Sequence, residues 1–139
     1  MKILGISCYY HDSAASIVID SKIIAAAQEE RFTRQKHTAK FPINSIKFCL
    51  EETGLKIQEL DAIVFYDKPI IKFERLTTIS HLSSPYSLRN YLKAFPEWLT
   101  KKLWIDRVIA KELGYSRGVE FCEHHMSHAA AAFYPSPFE

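Results

Sequence analysis

The sequence predicts an α/β protein built on a mixed β-sheet whose first three strands are antiparallel. Three observations support this prediction. Three short apolar segments open the chain, one amphipathic helix separates them from a strongly apolar strand, and a long helical region then leads to a final strand. The predicted order of elements is β-β-β-α-β-α-β-α. With 139 residues, 47% of them apolar, the chain is long enough to bury a core, and we expect one lobe spanning 1–139.

The opening segments are predicted to form strands at 2–8, 14–20 and 22–28. Asp20 and Ser21 separate the last two segments, and both residue types are common in tight turns between strands. The first three strands therefore form a meander.

A helix is predicted to begin near Pro42 and to end at Gly54, because proline favours the start of a helix and glycine favours its C-terminal cap. The following segment 60–66 is apolar throughout, which predicts a strand buried on both faces, as in parallel sheets.

Apolar residues recur at helical intervals over 83–114, and we predict two helices joined near Pro96. A short strand at 119–122 follows. The next helix is predicted to begin near His124, because it leads into the alanine run 129–132 and alanine has the highest helix propensity.

This order of elements is typical of one lobe of the actin-like, ribonuclease H-like ATPase fold. Such a lobe pairs with a second one. No glycine-rich return strand follows the last predicted helix, so we expect the chain to be a piece of a longer polypeptide.

Composition argues against several kinds of partner. Eighteen Lys and Arg residues against 16 Asp and Glu residues give a net charge of +2 without a long basic run, so we expect no nucleic-acid partner. The apolar stretch 1–6 is too short for a signal peptide or a membrane span, so we expect a cytoplasmic protein without a membrane partner. Cys8, Cys49 and Cys122 are widely spaced and are expected to be reduced thiols rather than a disulfide framework.

The strongest candidate site is the pair His124 and His128 at a junction from strand to helix. Residues four apart project from the same side of a helix, so the two imidazoles can bind one divalent metal ion. Protonated histidines at a helix N-terminus can also bind phosphate, and the pair can equally be a surface helix start. His125 points about 100° away on an ideal helix.

Two further segments offer catalytic or binding groups. His11 lies in the predicted turn between the first two strands, where an imidazole can act as a general base for a hydroxyl group; alternatively Asp12 and Ser13 only shape the turn. The charged run 29–37 carries Arg34 and Lys36, which can face a phosphorylated or carboxylated ligand or can simply be solvated.

Taken together, these segments resemble the carbamoyltransferase family that includes nodulation-factor and antibiotic O-carbamoyltransferases. The resemblance rests on three stretches in order: Gly5-Ile6 with 11–15, then 29–37 with Phe41-Pro42, and finally 124–133. The family's Lys-Lys-His has become Gln35-Lys36-His37 in this chain.

The resemblance implies an actin-like catalytic domain fused to a second domain that makes carbamoyl-adenylate from ATP and carbamoyl phosphate. By this resemblance His124 and His128 hold an iron-type divalent metal that contacts the nucleotide phosphates, with aspartates from later in the chain completing the coordination. His11 is then the base that deprotonates the hydroxyl of a small-molecule acceptor alcohol, and Lys36 stabilises developing negative charge. Arg34 and Asp12 are the residues expected to bind the cofactor.

Two other functions stay open. One is a lobe of a tRNA threonylcarbamoyl-transfer relative, and the other is a binding or assembly module without catalysis. The carbamoyltransferase hypothesis predicts that His11, Lys36, His124 and His128 meet at one edge of the sheet. It also predicts that residues 1–139 are inactive without the C-terminal lobe and the adenylate-forming domain.

Overall fold

A computed structural model describes residues 1–100 and 102–137 of the chain. The last two residues of the predicted lobe, 138 and 139, lie outside the described residues. The strands are β1 (Lys2–Ser7), β2 (Ala14–Ile19), β3 (Lys22–Gln28), β4 (Ala62–Phe65) and β5 (Val119–Phe121). The helices are α1 (Glu30–Thr33), α2 (Ile43–Thr53), α3 (Pro69–Leu82), α4 (Leu88–Thr100), α5 (Ile105–Leu113) and α6 (His124–Phe133), and 3-10 turns lie at Ile57–Glu59 and Lys102–Trp104.

The five strands form one mixed sheet in the order β3-β2-β1-β4-β5. β1 pairs antiparallel with β2, and β2 pairs antiparallel with β3, whereas β4 is parallel to both β1 and β5. The predicted α/β class, with three antiparallel strands first, is therefore confirmed. In this topology β1, β3, β4 and β5 all end at the same edge of the sheet, where β2 begins. We call it the carboxyl edge.

The turn between β2 and β3 forms as the sequence predicts. Asp20 and Ser21 have φ angles of 46° and 66°, the left-handed pair required by a two-residue type I′ hairpin. The Asp20 carboxylate also accepts a hydrogen bond from the N-terminal ammonium of Met1, which ties the start of β1 to this turn. The start of the chain and the β2–β3 hairpin are thus held together.

The core lies on one face of the sheet, beneath α2 and α5. Alternate residues of the strands point into it, as the two-residue period of a strand requires. Its fully buried members include Leu4, Ile6, Ile17, Ile46, Cys49, Ile63, Phe65, Ile105 and Ile109.

The prediction that β4 is buried on both faces is wrong. Ile63 and Phe65 are buried, but Ala62 and Val64 are only half-buried. These two residues point to the opposite face of the sheet, which the helices of the described residues leave partly uncovered. Because apolar sequence alone does not distinguish one covered face from two, the pattern overstated the burial.

The predicted helix near Pro42 is confirmed as α2, and Gly54 adopts the left-handed C-cap with φ of 64°. The predicted joint near Pro96 is wrong, because Pro96 lies inside α4. Past this proline the helix still packs: buried Trp98 contacts Phe73 of α3 at a ring distance of 5.8 Å. Tertiary packing offsets the lost backbone hydrogen bond.

Helix α3 is not among the predicted elements. Four of its apolar residues, Ile70, Ile71, Ile79 and Leu82, are exposed rather than gathered on one buried stripe. Without such a stripe the helical period gives a weak signal. Among the described residues, none of the helices is long and apolar enough to cross a membrane.

A buried carboxylate joins the end of β3 to the start of α2. Glu29 is only 2% exposed. It accepts hydrogen bonds from the backbone N–H of Ser45 at 2.9 Å, from the Ser45 hydroxyl at 2.9 Å and from the Asn44 side-chain amide at 2.6 Å. A negative charge at a helix N-terminus is favourable, so Glu29 acts as a remote cap for α2.

We expect Glu29→Ala to lower the free energy of unfolding by about 3 kcal/mol, because the buried Ser45 N–H and hydroxyl lose their acceptor. Urea denaturation followed by circular dichroism measures the change. Glu51→Ala, on the exposed side of the same helix, is the control and should stay within about 0.5 kcal/mol of the unmodified protein. Equal stability of the two variants would show that Glu29 does not anchor the helix.

Candidate functional site

The candidate site lies at the carboxyl edge, where four chain segments meet. The loop 8–13 connects β1 to β2, and the charged run follows β3. A turn at Asp67 follows β4, and two residues separate the end of β5 from the start of α6. All six residues predicted from the sequence lie in three of these segments: His11, Asp12, Arg34, Lys36, His124 and His128.

Asp12 connects the first two segments by binding two histidines. The Nδ1–H groups of His11 and His37 donate to its two carboxylate oxygens, at 2.8 Å and 2.9 Å. The hydrogen bond from His11, and next that from His37, lower the pKa of the Asp12 carboxyl. With Nδ1 bound to the carboxylate, the Nε2 atom of each ring is left with its lone pair for a proton or a ligand.

The backbone around this cluster is fixed by hydrogen bonds between the loop and the charged run. Tyr9 N–H donates to the Ala39 carbonyl at 2.9 Å, and both the N–H and the hydroxyl of Ser13 donate to the Thr38 carbonyl at 3.0 Å. Ser13 therefore shapes the turn, as one alternative predicts, whereas the Asp12 side chain binds the two histidines.

Four non-glycine residues here adopt the left-handed region. They are Tyr9, Asp12, Arg34 and His37, with φ angles of 65°, 51°, 57° and 53°. Left-handed backbone is costly for residues with a side chain and is often found at functional sites. The surrounding hydrogen bonds hold this loop in one conformation.

The two histidines of α6 face each other. The Nε2 atoms of His124 and His128 are 3.2 Å apart, and the ring centroids are 4.6 Å apart. Two nitrogen ligands about 2.1 Å from one ion lie at such a separation, so the pair fits as half of a coordination shell. No group of three or more His, Cys, Asp or Glu residues that could hold a metal ion is found within 1–100 and 102–137. Further ligands would have to come from other groups.

The environment of His124 favours its neutral form. Its side chain is 37% exposed, but its Nδ1 atom is buried and has no hydrogen-bond partner. Burial is the main cause that lowers the pKa of this imidazole, and the nearby Asp67 carboxylate opposes the shift. Neutral imidazole is the form that binds metals.

A cavity of about 300 Å³ lies beside His124. Lys72 is one of the residues that line it. Its Nζ atom lies 2.6 Å from Asp67 Oδ2 and 4.0 Å from the centroid of the Tyr10 ring. Tyr10 belongs to the loop of His11. Lys72 therefore connects the turn after β4 with that loop.

A second cavity of about 870 Å³ lies over the uncovered face of the sheet and is mainly apolar. His128 and Arg31 line it, and Gly5 forms part of its floor. A Cβ atom at Gly5 would lie 3.1 Å from the Ser16 hydroxyl, so glycine keeps this floor open.

The predicted site residues do not all share one cavity. Of the described residues, His128 lines the large cavity and His124 the small one, while His11, Asp12, Arg34 and Lys36 line neither. Arg34 and Lys36 are exposed. Arg31 is the cation of the charged run that reaches the large cavity.

Sequence reasoning missed Asp67 and Lys72. Asp67 directly follows the apolar residues of β4, and strands parallel to one another end at the same edge. That position is typical of a site residue, but the sequence alone does not show that this carboxylate lies beside the α6 histidines. Lys72 carries no such signal, because only the turn of α3 brings it to Asp67.

The fold and the site define an α/β unit with paired histidines at the carboxyl edge of a mixed sheet. The sequence of this unit matches the family described as Carbamoyltransferase N-terminus over residues 2–139. The chain belongs to this family, and the resemblance noted from its motifs is confirmed.

Individual relatives are much longer than this chain. It is 50% identical to uncharacterized protein sll1178 of Synechocystis sp., over 99% of the chain and 24% of that protein. It is 36% identical to nodulation protein NolNO of Sinorhizobium fredii, over 94% of the chain and 18% of the relative. An uncharacterized 19.2 kDa protein from the syrM 5′ region of Rhizobium etli is 38% identical over 57% of the chain and 47% of its own length. The chain thus spans less than a quarter of the length of the first two relatives.

Proposed function

We propose that this chain forms the N-terminal lobe of an actin-like catalytic domain in a longer, cytoplasmic O-carbamoyltransferase. The observation that carries the proposal is the meeting of the His11 loop, the charged run and the two α6 histidines at one edge of the sheet. The carbamoyltransferase match over 2–139 supports the class of reaction.

The proposed reaction moves a carbamoyl group from carbamoyl-adenylate to an acceptor hydroxyl. His11 Nε2 takes the proton of the acceptor, whose oxygen bonds to the carbamoyl carbon. The bond between that carbon and the phosphate oxygen breaks, and AMP leaves. Because the mixed anhydride is already activated, the protein mainly orients the alcohol, removes its proton and neutralises the leaving group.

Asp12 supports the base in this proposal. Its hydrogen bond to Nδ1–H of His11, at 2.8 Å, directs the lone pair of the ring to Nε2. The same contact stabilises the imidazolium that forms after proton transfer. This role is an alternative to the direct cofactor binding expected of Asp12 in the sequence analysis.

The anionic part of the donor needs positive charge near it. Lys36 and Arg34 are exposed in the loop around the site, and Arg31 faces the large cavity together with His128. Guanidinium groups bind phosphate oxygens in a bidentate way, while lysine acts as a point charge. These three side chains are the proposed contacts for the adenylate phosphate.

His124 and His128 are the proposed ligands of a divalent metal, iron in the family's pattern. Their Nε2 separation of 3.2 Å and the neutral form of His124 suit this role. When bound, such an ion polarises phosphate oxygens and stabilises charge on a leaving group. Further ligands, the second lobe and the domain that makes carbamoyl-adenylate from ATP and carbamoyl phosphate belong to other parts of the proposed longer protein.

The test uses the full-length protein that contains this chain, incubated with ATP and ¹⁴C-labelled carbamoyl phosphate. Polyhydroxylated sugars serve as acceptors, and tRNA is tested in parallel with ¹⁴C-labelled threonylcarbamoyl-adenylate as the donor. We expect label on a sugar hydroxyl together with stoichiometric AMP, and no turnover by residues 1–139 alone. Label on tRNA would support the tRNA-modifying alternative. Binding of the acceptor without label transfer or AMP would favour a binding module.

A further inference from the structure

A buried atom of His124 is left without a partner. Among the buried side-chain nitrogen and oxygen atoms of the described residues, the Nδ1 atom of His124 alone has no hydrogen-bond partner. A buried polar group without a partner is destabilising, so an isolated one calls for an explanation. The other ring nitrogen, Nε2, faces His128 at 3.2 Å, where a metal would bind.

A carboxylate that accepts two hydrogen bonds lies close to this nitrogen. Asp67 Oδ2 lies 4.0 Å from His124 Nδ1, and Asp67 is only 8% exposed. Its Oδ1 accepts the Lys68 N–H at 2.9 Å, and its Oδ2 accepts from Lys72 Nζ at 2.6 Å. A shift of about 1 Å would bring Oδ2 within hydrogen-bond distance of the Nδ1–H.

We infer that Asp67 is a positioning residue that holds His124 with Nδ1 protonated and Nε2 directed toward the metal. Metal-binding histidines usually donate their second N–H to a carboxylate or carbonyl, which fixes the tautomer and the ring orientation. Asp67 supplies that acceptor from the turn after β4. The inference rests on the proposed metal site and adds the residue that supports its first ligand.

The alternative is that Asp67 only pairs with Lys72 to hold α3. The two explanations differ in what Lys72 contributes. If Asp67 acts through His124, breaking the ion pair leaves the carboxylate available and should not weaken metal binding. If the ion pair itself matters, removing Lys72 should be as harmful as removing the carboxylate.

The experiment measures the Zn²⁺ affinity of the full-length protein by competition with a chelator. We expect Asp67→Asn to weaken binding about 10- to 100-fold, and Asp67→Glu to recover much of the loss. Glu123→Gln is the matched control, because Glu123 lines the same small cavity but pairs with Lys68 at 3.5 Å. Both this control and Lys72→Met should bind Zn²⁺ within threefold of the unmodified protein.

Three results would overturn the inference. One is an affinity of Asp67→Asn within threefold of wild type, and another is an equal loss in Lys72→Met. The third result needs no Asp67 variant and comes from an NMR spectrum of wild type labelled with ¹⁵N-histidine and loaded with Zn²⁺. The His124 signal is identified by its loss in His124→Ala. A spectrum in which this ring is protonated at Nε2 instead of Nδ1 would overturn the inference.

If the proposed metal site itself is wrong, the binding measurements give a different result. In that case wild type itself binds no Zn²⁺ above the level of the His124→Ala variant, and both proposals fall together. A wild type that binds Zn²⁺ through the histidines, beside an unaffected Asp67→Asn, rejects the role of Asp67 alone.

Discussion

His128→Ala in the full-length protein is expected to abolish metal retention and to lower carbamoyl transfer by about 10³-fold or more, since charge stabilisation by a metal is worth several kcal/mol. His124→Ala should have the same effect. The Nε2 atoms of the two rings face each other at 3.2 Å, so removing either ring leaves a single nitrogen. With one of these two nitrogen ligands gone, the remaining ligands are expected to lose the ion during purification.

The fold should tolerate this change. The side chain of His128 is exposed, and surface substitutions usually change stability by no more than about 0.5 kcal/mol. Metal content after gel filtration, measured by inductively coupled plasma mass spectrometry, and the melting temperature in the presence of chelator separate metal loss from unfolding. The control is His125→Ala, an exposed neighbour on the same helix, which should retain metal and activity. Wild-type metal content in His128→Ala would refute the ligand assignment.

The sheet of this protein could be predicted from local sequence because its signals are local. Short apolar segments mark the strands, Asp20 and Ser21 form the predicted turn, and Gly54 caps α2 as expected. The helical region was predicted less well. There the contact of Trp98 with Phe73 overrides the local effect of Pro96, and such a contact cannot be read from spacing.

The candidate site, like the fold, has features that the sequence predicts and features that it does not. The pairing of His124 with His128 follows from helical geometry, and their place at the carboxyl edge follows from topology. The contact between Asp12 and His37 joins residues 25 positions apart, and it depends on left-handed backbone at both. Asp67 and Lys72 meet through the start of α3, a helix that the sequence did not predict. Side-chain partnerships between loops therefore required the structure.

His11→Ala is expected to lower kcat for carbamoyl transfer by about 10²- to 10⁴-fold, the usual contribution of a general base. KM for the donor should stay near wild type because, within the described part of the chain, His11 is not among the residues that line the two cavities. Metal content should also stay near wild type, because the α6 histidines are unchanged.

Two matched variants divide this effect between the base and the residues around it. Asp12→Asn keeps the shape of the side chain but removes the charge that stabilises the imidazolium, so we expect a smaller loss of kcat than in His11→Ala. His37→Ala leaves the bond between His11 and Asp12 intact and should cost less again. Steady-state rates at saturating donor would distinguish the three. If His11→Ala kept the wild-type rate, the proton of the acceptor would have to go elsewhere, and the loop after β1 would lose its proposed catalytic role.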